Sequence, residues 1–219
     1  MEFDLMTGSS TWTNAGALAR TVEDQGFSGM LYTETGQVPW MQIAAAAMAA
    51  PSLTFTTGIA VAFPRSPMVS AQVAWELAGE TKGKFRLGLG SQVKGHVVRR
   101  YSSDFDKPAR RLLDYVLAVK ACFKAFRGEE RLNHEGDFYN LSLLPDAWKP
   151  RSHDFGEIKV DISSVGPLMN SVAGQIADGV HVHPMHSMHY IENRLLPEIE
   201  QGAQLAGRES SDVDLIVPV

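Results

Sequence analysis

The sequence of 219 residues contains one cysteine, Cys122, and has no long apolar run. A single cysteine excludes an internal disulfide, which is typical of proteins in a reducing compartment. The longest apolar stretch, 43–50, is rich in alanine and far too short to span a bilayer. No basic, apolar leader follows Met1. We therefore expect a soluble, cytoplasmic protein that is not bound to a membrane.

The chain also lacks an excess of positive charge. It has 20 Lys and Arg residues against 25 Asp and Glu residues, and its net charge is −5 at pH 7. We do not expect so mildly acidic a protein to bind nucleic acid or an anionic membrane by general electrostatic attraction. Hydrophobic residues make up 44% of the sequence and charged residues 21%, which is ordinary for a globular protein with a buried core.

The sequence does contain a regular alternation of short apolar runs with helical patterns. The apolar runs predict seven strands, at 3–6, 29–33, 53–63, 85–90, 158–163, 179–183 and 213–217. Strands that alternate with helices form a parallel sheet, which is either open and doubly wound or closed into a barrel. A closed α/β barrel has eight strands in about 250 residues. With seven predicted strands instead of eight, we expect a barrel that is truncated after its seventh strand.

One segment, 129–156, breaks the alternation. It shows no clean periodicity and contains Pro145 and Pro150. We predict that it is an insertion within a single domain spanning 1–219, either as a lid or as part of a pocket wall.

Ligands of parallel α/β folds bind at the carboxyl ends of the strands, so the segments that follow strands are the first candidates for a site. Gly58 lies inside the third predicted strand, where a glycine indicates a bulge, a close backbone approach or a barrel corner without a ligand. Gly90 ends the fourth strand and precedes a loop with basic residues, which either meets an anion or is simply solvated.

The fifth strand ends in Ser163 and Ser164, and Gly166 follows immediately before a predicted helix. Hydroxyl groups, a glycine and a helix N-terminus together form a natural cradle for a phosphate group. The alternative is an ordinary serine cap of the helix.

The segments TGIAVAFPRSP, FRLGLGSQVKGHVVRRY and SSVGPLMNSVAGQIADG together resemble the luciferase-like monooxygenase superfamily. The similarity is greatest to its branch of coenzyme F-420-dependent oxidoreductases, and it covers nearly the whole chain in the same order. The resemblance implies a TIM-type (β/α)8 barrel that binds F-420, with FMN as the alternative. It also implies an enzyme that transfers a hydride to a small organic substrate or activates oxygen on it.

Further implications of the resemblance concern particular residues. A non-proline cis peptide at Gly58–Ile59 would press the backbone against the cofactor ring. The cofactor phosphate would lie near the segment after the fifth strand, with help from the loop after the fourth. The residues assigned to cofactor binding are Gly58, Ile59, Gly90, Ser91, Gln92, His96, Ser163, Ser164 and Gly166.

Catalytic groups of the family follow the second strand, where this chain reads TETGQVPW. The chain keeps an acidic residue, Glu34, and a tryptophan, Trp40, but has Thr35 where a histidine is expected. Glu34 is therefore the candidate acid or base, or a hydrogen-bonding partner of the cofactor. Trp40 is either a pocket wall or part of the core, and Arg65 contacts a ligand or holds the loop through an ion pair.

A histidine-rich run, HVHPMHSMH at 181–189, suggests a metal site. The run contains no Cys, Asp or Glu, and no His-Glu-X-X-His motif is present. We therefore predict no metal, and expect one or two of these histidines to line the pocket.

Two other functions remain open at this stage. An incomplete barrel without the expected histidine could be a non-catalytic flavin-binding protein or an inactive fragment. An unrelated barrel enzyme acting on a phosphorylated sugar would bind no coloured cofactor. The family often dimerises, and an open sheet edge favours association, so a homodimer is compatible with the sequence.

Overall fold

The computed structural model describes residues 2–218. Its centre is a parallel sheet whose seven main strands alternate with helices along the chain. Their order across the sheet follows their order in the sequence. The strands of this sheet are β1 (Asp4–Thr7), β2 (Gly29–Tyr32), β3 (Thr54–Thr57), β4 (Ala60–Val61), β5 (Phe85–Gly90), β8 (Val160–Ser164), β9 (Gly179–Val182) and β10 (Asp214–Ile216).

The register of the sheet shows why successive strands bring their carboxyl ends together. Gly29 pairs with Thr54, Leu87 with Val160, and Ser163 with His181. Every pairing in this sheet is parallel. The short strand β4 continues β3 after a two-residue break and pairs with β5. All seven predicted strands are therefore confirmed, and the third is split in two.

The helices cover the sheet and bury their apolar faces against it. Their bounds are α1 (Trp12–Asp24), α2 (Trp40–Ala49), α3 (Pro67–Glu80), α4 (Lys94–Arg99), α5 (Pro108–Arg127), α6 (Pro167–Ile176), α7 (Met188–Tyr190) and α8 (Leu196–Leu205). Local interactions explain where α1 begins and where α5 ends. Thr11 caps α1 by accepting from the Asn14 N–H at 3.2 Å. Gly128 ends α5 with φ of +76°.

Residues 129–156 form small irregular pieces. A two-stranded antiparallel hairpin, β6 (His134–Glu135) with β7 (Asn140–Leu141), is followed by a 3-10 turn at Asp146–Trp148. Asp114 of α5 holds this hairpin, because its carboxylate accepts from the Phe138 N–H at 2.6 Å and the Tyr139 N–H at 3.0 Å. Farther on, His153 stacks on Trp75 of α3 with ring centroids 4.1 Å apart. Through these contacts, residues 129–156 pack against α5 and α3.

The core lies between the sheet and the helices. Trp75, Tyr115, Phe55 and Leu87 are among its largest fully buried side chains, and Cys122 is buried in α5. Within residues 2–218 the sheet does not close, since β1 and β10 each pair with one neighbour only. In the same part of the chain no helix is long and apolar enough to cross a membrane.

Candidate functional site

The backbone between β3 and β4 is the most distorted part of the sheet. The Gly58–Ile59 peptide bond is cis, as predicted. The Thr57 hydroxyl donates to the Gly88 carbonyl at 2.7 Å and accepts from the Gly88 N–H at 2.8 Å. A side-chain hydroxyl thus satisfies both backbone groups of a β5 residue beside the break. Thr57 was not among the residues that the sequence pattern indicated.

Only glycine fits at position 58. A Cβ atom there would lie 1.9 Å from Cδ2 of Leu31, a fully packed side chain of β2. The glycine therefore lets the β3–β4 backbone pack closely against the Leu31 side chain of β2.

The end of β5 is built in the same way. A Cβ atom at Gly90 would lie 2.6 Å from Cδ1 of Ile59 and 2.6 Å from Oγ of Ser163. Ile59, Gly90 and Ser163 therefore converge at the carboxyl ends of three strands. We call this group the strand-end cradle. The side chains of Ile59 and Ser163 thus fill the space where a side chain at position 90 would lie, and Gly90 itself is buried.

Residues after β5 and β8 surround the cradle. Ser91 and Gln92 follow β5 directly, and Gln92 has φ of +58°. His96 lies on α4 and is exposed. Ser164 is buried and its hydroxyl donates to the Asn170 side-chain oxygen. Gly166, at the N-terminus of α6, has open space where a Cβ atom would be.

Asn170 ties this loop to α8. Its amide donates to the Glu198 carboxylate at 2.7 Å, and the nearby Tyr190 hydroxyl donates to the Val165 carbonyl at 2.6 Å. The Ser164 side chain thus supports the loop from behind. The backbone N–H groups at the start of α6 are the part of the loop suited to an anion.

Glu34 lies on the other side of the site and is buried. Arg65 donates to both of its oxygens, at 2.6 Å and 2.8 Å, and the Val61 N–H donates to it at 2.8 Å. Trp40 is also buried, with the Arg65 guanidinium 5.7 Å from its ring centroid. Of the two alternatives for Arg65, the structure has the ion pair. Glu34 and Trp40 hold the loops after β2 and β4 together.

His181 is the residue of the histidine run that enters the sheet interior. Its side chain is 11% exposed, and its Nε2 atom would lie 2.5 Å from a Cβ atom at Gly88. Burial lowers the pKa of His181 to about 4, with a further lowering from Arg86 that Asp161 opposes. The ring is therefore neutral near pH 7. Strand alternation could have identified it, because Ser163 and His181 share one face.

The other histidines of the run lie beyond the strand. His183 and His189 are exposed, and the His183 and His186 ring centroids are 5.6 Å apart. In the described part of the chain no group of three or more His, Cys, Asp or Glu side chains is arranged to hold a metal ion.

A charged network lies beside His181. Arg86 on β5 donates to both oxygens of Asp161 on β8, at 2.8 Å and 2.6 Å, and to Asp214 on β10 at 2.8 Å. Lys159 also donates to Asp214, at 2.9 Å. Asp161 is fully buried, so its charge depends on Arg86 for compensation.

One groove on the surface lies elsewhere. It has a volume of about 380 Å³ and runs between α1 and α2 on the outside of the sheet, beside Trp12 and Met48. Arg20 is the charged residue among the described residues that line it. We place the functional site at the strand ends instead, because the distorted backbone and the converging polar groups are there.

The predicted site residues therefore fall into two groups. The structure brings Gly58, Ile59, Gly90 and Ser163 together, with Ser91, Gln92 and Gly166 in the adjoining loops. Ser164 turns away to Asn170, His96 lies out on α4, and Glu34 and Trp40 are engaged with Arg65. Their functional roles remain predictions.

An open parallel sheet with helices between its strands and a glycine-lined cradle at the strand ends defines an α/β protein of the barrel type. The family model of the luciferase-like monooxygenases matches residues 2–219. The chain belongs to this family, whose members are oxidoreductases and monooxygenases.

The chain is also similar to a curated protein in sequence and to solved structures in fold. The chain is 34% identical over 193 residues to an uncharacterized protein of Mycobacterium tuberculosis, a match that covers 88% of this chain and 57% of that protein. An F-420-dependent tetrahydromethanopterin reductase from Methanopyrus kandleri has a similar fold, with a TM-score of 0.80 and 20% identity. That match covers 99% of this chain and 65% of the reductase.

A second similar structure is the oxygenating component of 3,6-diketocamphane monooxygenase from Pseudomonas putida, solved in complex with FMN. Its TM-score is 0.69 at 17% identity, with coverage of 98% of this chain and 66% of the monooxygenase. This chain therefore spans about two thirds of the length of each of these two solved proteins. It spans 57% of the length of the curated relative.

Proposed function

We propose that this chain carries the cofactor site of a flavin- or deazaflavin-dependent oxidoreductase that acts on a small organic substrate. The observation that carries the proposal is the strand-end cradle beside the Gly58–Ile59 cis peptide. Glycine at position 90 lets Ile59 and Ser163 approach the β5 backbone closely, at the carboxyl ends of the strands where parallel α/β folds bind their ligands. The residues present fit such a group.

Each part of the site has a distinct task in this proposal. Gly58, Ile59 and Gly90 would support the ring. The N–H groups at the start of α6, next to Gly166, would bind the phosphate, with Ser164 and Asn170 holding that loop in place. The bound cofactor would supply the hydride, or the electron pair that activates oxygen, while the protein orients it and excludes water.

F-420 is our first choice of cofactor and FMN the second. The sequence resembles the F-420 branch most, and the Methanopyrus kandleri structure is named as an F-420-dependent enzyme. The Pseudomonas putida structure holds FMN. Titration of the purified protein with each cofactor, followed by absorbance and fluorescence, separates the two. If neither binds, the proposal is wrong.

The phosphate assignment is tested with Gly166→Asp. Since a Cβ atom at Gly166 meets open space, the variant should fold, while its carboxylate repels a phosphate at the α6 N-terminus. We expect cofactor affinity to fall at least tenfold, by the order of one lost charged contact. Met48→Asp is the control. Met48 lies on α2 and is 89% exposed, so this substitution adds the same charge away from the proposed phosphate site. Equal affinity of Gly166→Asp and the wild type would refute the assignment.

A non-catalytic cofactor-binding protein is the second candidate. The observation in its favour is that Arg65 and Val61 already engage the Glu34 carboxylate, and that Thr35 stands where the family has a histidine. Two assays distinguish the two functions: oxidation of the reduced cofactor by aldehydes or dioxygen, and reduction of the oxidised cofactor by a panel of alcohols. Turnover supports the enzyme, and tight binding without turnover supports the second candidate.

A further inference from the structure

One buried nitrogen atom near the cradle lacks a hydrogen-bond partner. The Nε2 atom of His181 is fully buried, and no protein group in residues 2–218 bonds to it. The nearest carboxylate oxygen, Oδ2 of Asp161, is 3.9 Å away, too far for a hydrogen bond. Both Asp161 oxygens already accept from Arg86. A buried polar group without a partner is costly, and such groups often mark functional sites.

His181 belongs to the same layer of the sheet as the cradle. Its Cα pairs with that of Ser163, whose Oγ lies close to Gly90 and opposite Ile59. The imidazole crosses from β9 toward Gly88 on β5, where a Cβ atom would collide with it. The missing side chain at position 88 thus makes room for this ring. The side chain keeps 11% of its surface exposed, so it is not completely enclosed by the protein.

The electrostatic surroundings favour a neutral, oriented ring. The buried carboxylate of Asp161 lies on the Nε2 side, and a nearby carboxylate favours the tautomer that carries its proton on that nitrogen. Nδ1 is then free to accept a hydrogen bond. Arg86 lies on the far side of Asp161 and disfavours a second proton on the ring.

We propose that His181 is a further cofactor-contacting residue, whose neutral imidazole forms a hydrogen bond with the polar pyrimidine edge of the bound ring. The proposal rests on the proposed function. FMN and F-420 have the same pyrimidine edge, with two carbonyl groups and an N–H between them. The contact should therefore matter equally for both cofactors.

The test compares His181→Leu with His189→Leu, a change at an exposed histidine of the same run. Without His181 we expect affinity for FMN and F-420 to fall about five- to tenfold, the effect of one lost hydrogen bond. The melting temperature of the free protein should stay level or rise, because an unpartnered buried nitrogen is removed. His189→Leu should change neither quantity.

A second measurement follows the His181 ring in the wild-type protein itself. In the wild type, the NMR signals of the His181 imidazole, assigned by their loss in His181→Leu, should shift when cofactor is added. Unshifted signals together with wild-type affinity in His181→Leu would overturn the role of His181 and leave the proposed function standing. Failure of the wild type to bind either cofactor would overturn both.

Discussion

Glu34 is a catalytic candidate from the sequence, but in the structure its carboxylate is engaged in hydrogen bonds with neighbouring protein groups. Its two oxygens accept three N–H bonds from Arg65 and Val61 in a buried setting. A carboxylate in such a network stabilises two loops that frame the site. Three of the roughly four acceptor sites of this carboxylate are taken by these donors.

We expect Glu34→Gln to destabilise the protein by about 2 kcal/mol, because the amide leaves Arg65 without a charged partner in a largely buried position. Urea unfolding followed by circular dichroism measures this loss. Lys124→Gln is the control, since it breaks an exposed pair with Glu130 and should cost less than about 0.5 kcal/mol. A stability of Glu34→Gln equal to that of the wild type would contradict the structural role.

His181 makes the stability of the protein depend on pH. Burial holds its folded-state pKa at about 4, below the ordinary value of 6.5, so below pH 6.5 the unfolded chain takes up a proton that the folded chain refuses. Stability should therefore fall as pH decreases from about 6.5 to 4. The loss is at most about 3 kcal/mol. Urea unfolding at several pH values measures it.

The control for this prediction is His181→Leu. Other groups also titrate in this range, so the informative quantity is the difference in unfolding free energy between the wild type and the variant. That difference should change with pH between 6.5 and 4 and be constant above pH 7. A difference that stays constant throughout would show that the ring is not kept neutral by burial.

At the scale of elements, periodicity predicted the strands well because parallel strands covered on both faces are nearly continuous apolar runs. The third strand was predicted as one segment, 53–63. It is broken at Gly58 and Ile59, and hydrophobicity cannot reveal a break whose residues stay apolar. The helix α4 was missed within a polar loop, since six residues are too few to show a period.

The end of the chain shows another limit. The apolar pattern over 191–206 predicts one helix, which Pro197 kinks or restarts. The structure has a π-helical turn at Ile191–Leu195 before α8, and Pro197 lies in the first turn of α8. A proline in a first turn breaks no hydrogen bond, so its presence did not indicate the irregular turn before it.

The site could be predicted only in part. Glycines and serines at strand ends, with the family resemblance, led to the Gly58–Ile59 and Gly90 positions. The directions in which these side chains point could not be predicted from the sequence. Whether Ser164 faces a ligand or Asn170 depends on a residue six positions farther on, and the place of His181 depends on the space left at Gly88 on another strand.

The hairpin β6–β7 should respond to one substitution. Asp114 accepts from the Phe138 and Tyr139 N–H groups and from Nε2 of His134 at 2.7 Å. In Asp114→Asn, we expect amide hydrogen exchange over 134–141 to become at least tenfold faster, because the charged acceptor that holds the hairpin is lost. Strands β5 and β8 should keep their protection. The measurement is hydrogen exchange by mass spectrometry.

Asp137→Asn is the matched control, since Asp137 pairs with Arg110 at an exposed position of the same hairpin. It should leave exchange in the hairpin nearly unchanged. Equal exchange in Asp114→Asn and the wild type would show that the hairpin is held by its apolar contacts alone.

For the whole molecule, the charged network of Arg86 connects β5, β8 and β10, and thus links the middle of the sheet to one edge. We expect Arg86→Met to lower the free energy of unfolding by about 3–5 kcal/mol, because it leaves Asp161 buried and uncompensated. Urea unfolding at pH 7 measures the loss, which should appear as a shift of the single global transition.

Two further variants make the result specific. Arg86→Met combined with Asp161→Leu removes both charges and should recover most of the stability. Arg110→Met breaks an exposed pair and should cost less than about 0.5 kcal/mol. If Arg86→Met alone is within 1 kcal/mol of the wild type, roughly the value of an ordinary hydrogen bond, the network does not hold the sheet together.

The contact between α6 and α8 has a practical consequence for engineering. A Cβ atom at Gly174 would lie 2.0 Å from the Ile199 carbonyl oxygen, and one at Gly202 would lie 2.0 Å from that of Ser171. The two helices touch backbone to backbone, which brings Glu198 within reach of Asn170 behind the β8–α6 loop. A randomised library aimed at new specificity should therefore keep both glycines fixed. A side chain at either position would prevent α6 and α8 from packing, and most such clones would not fold.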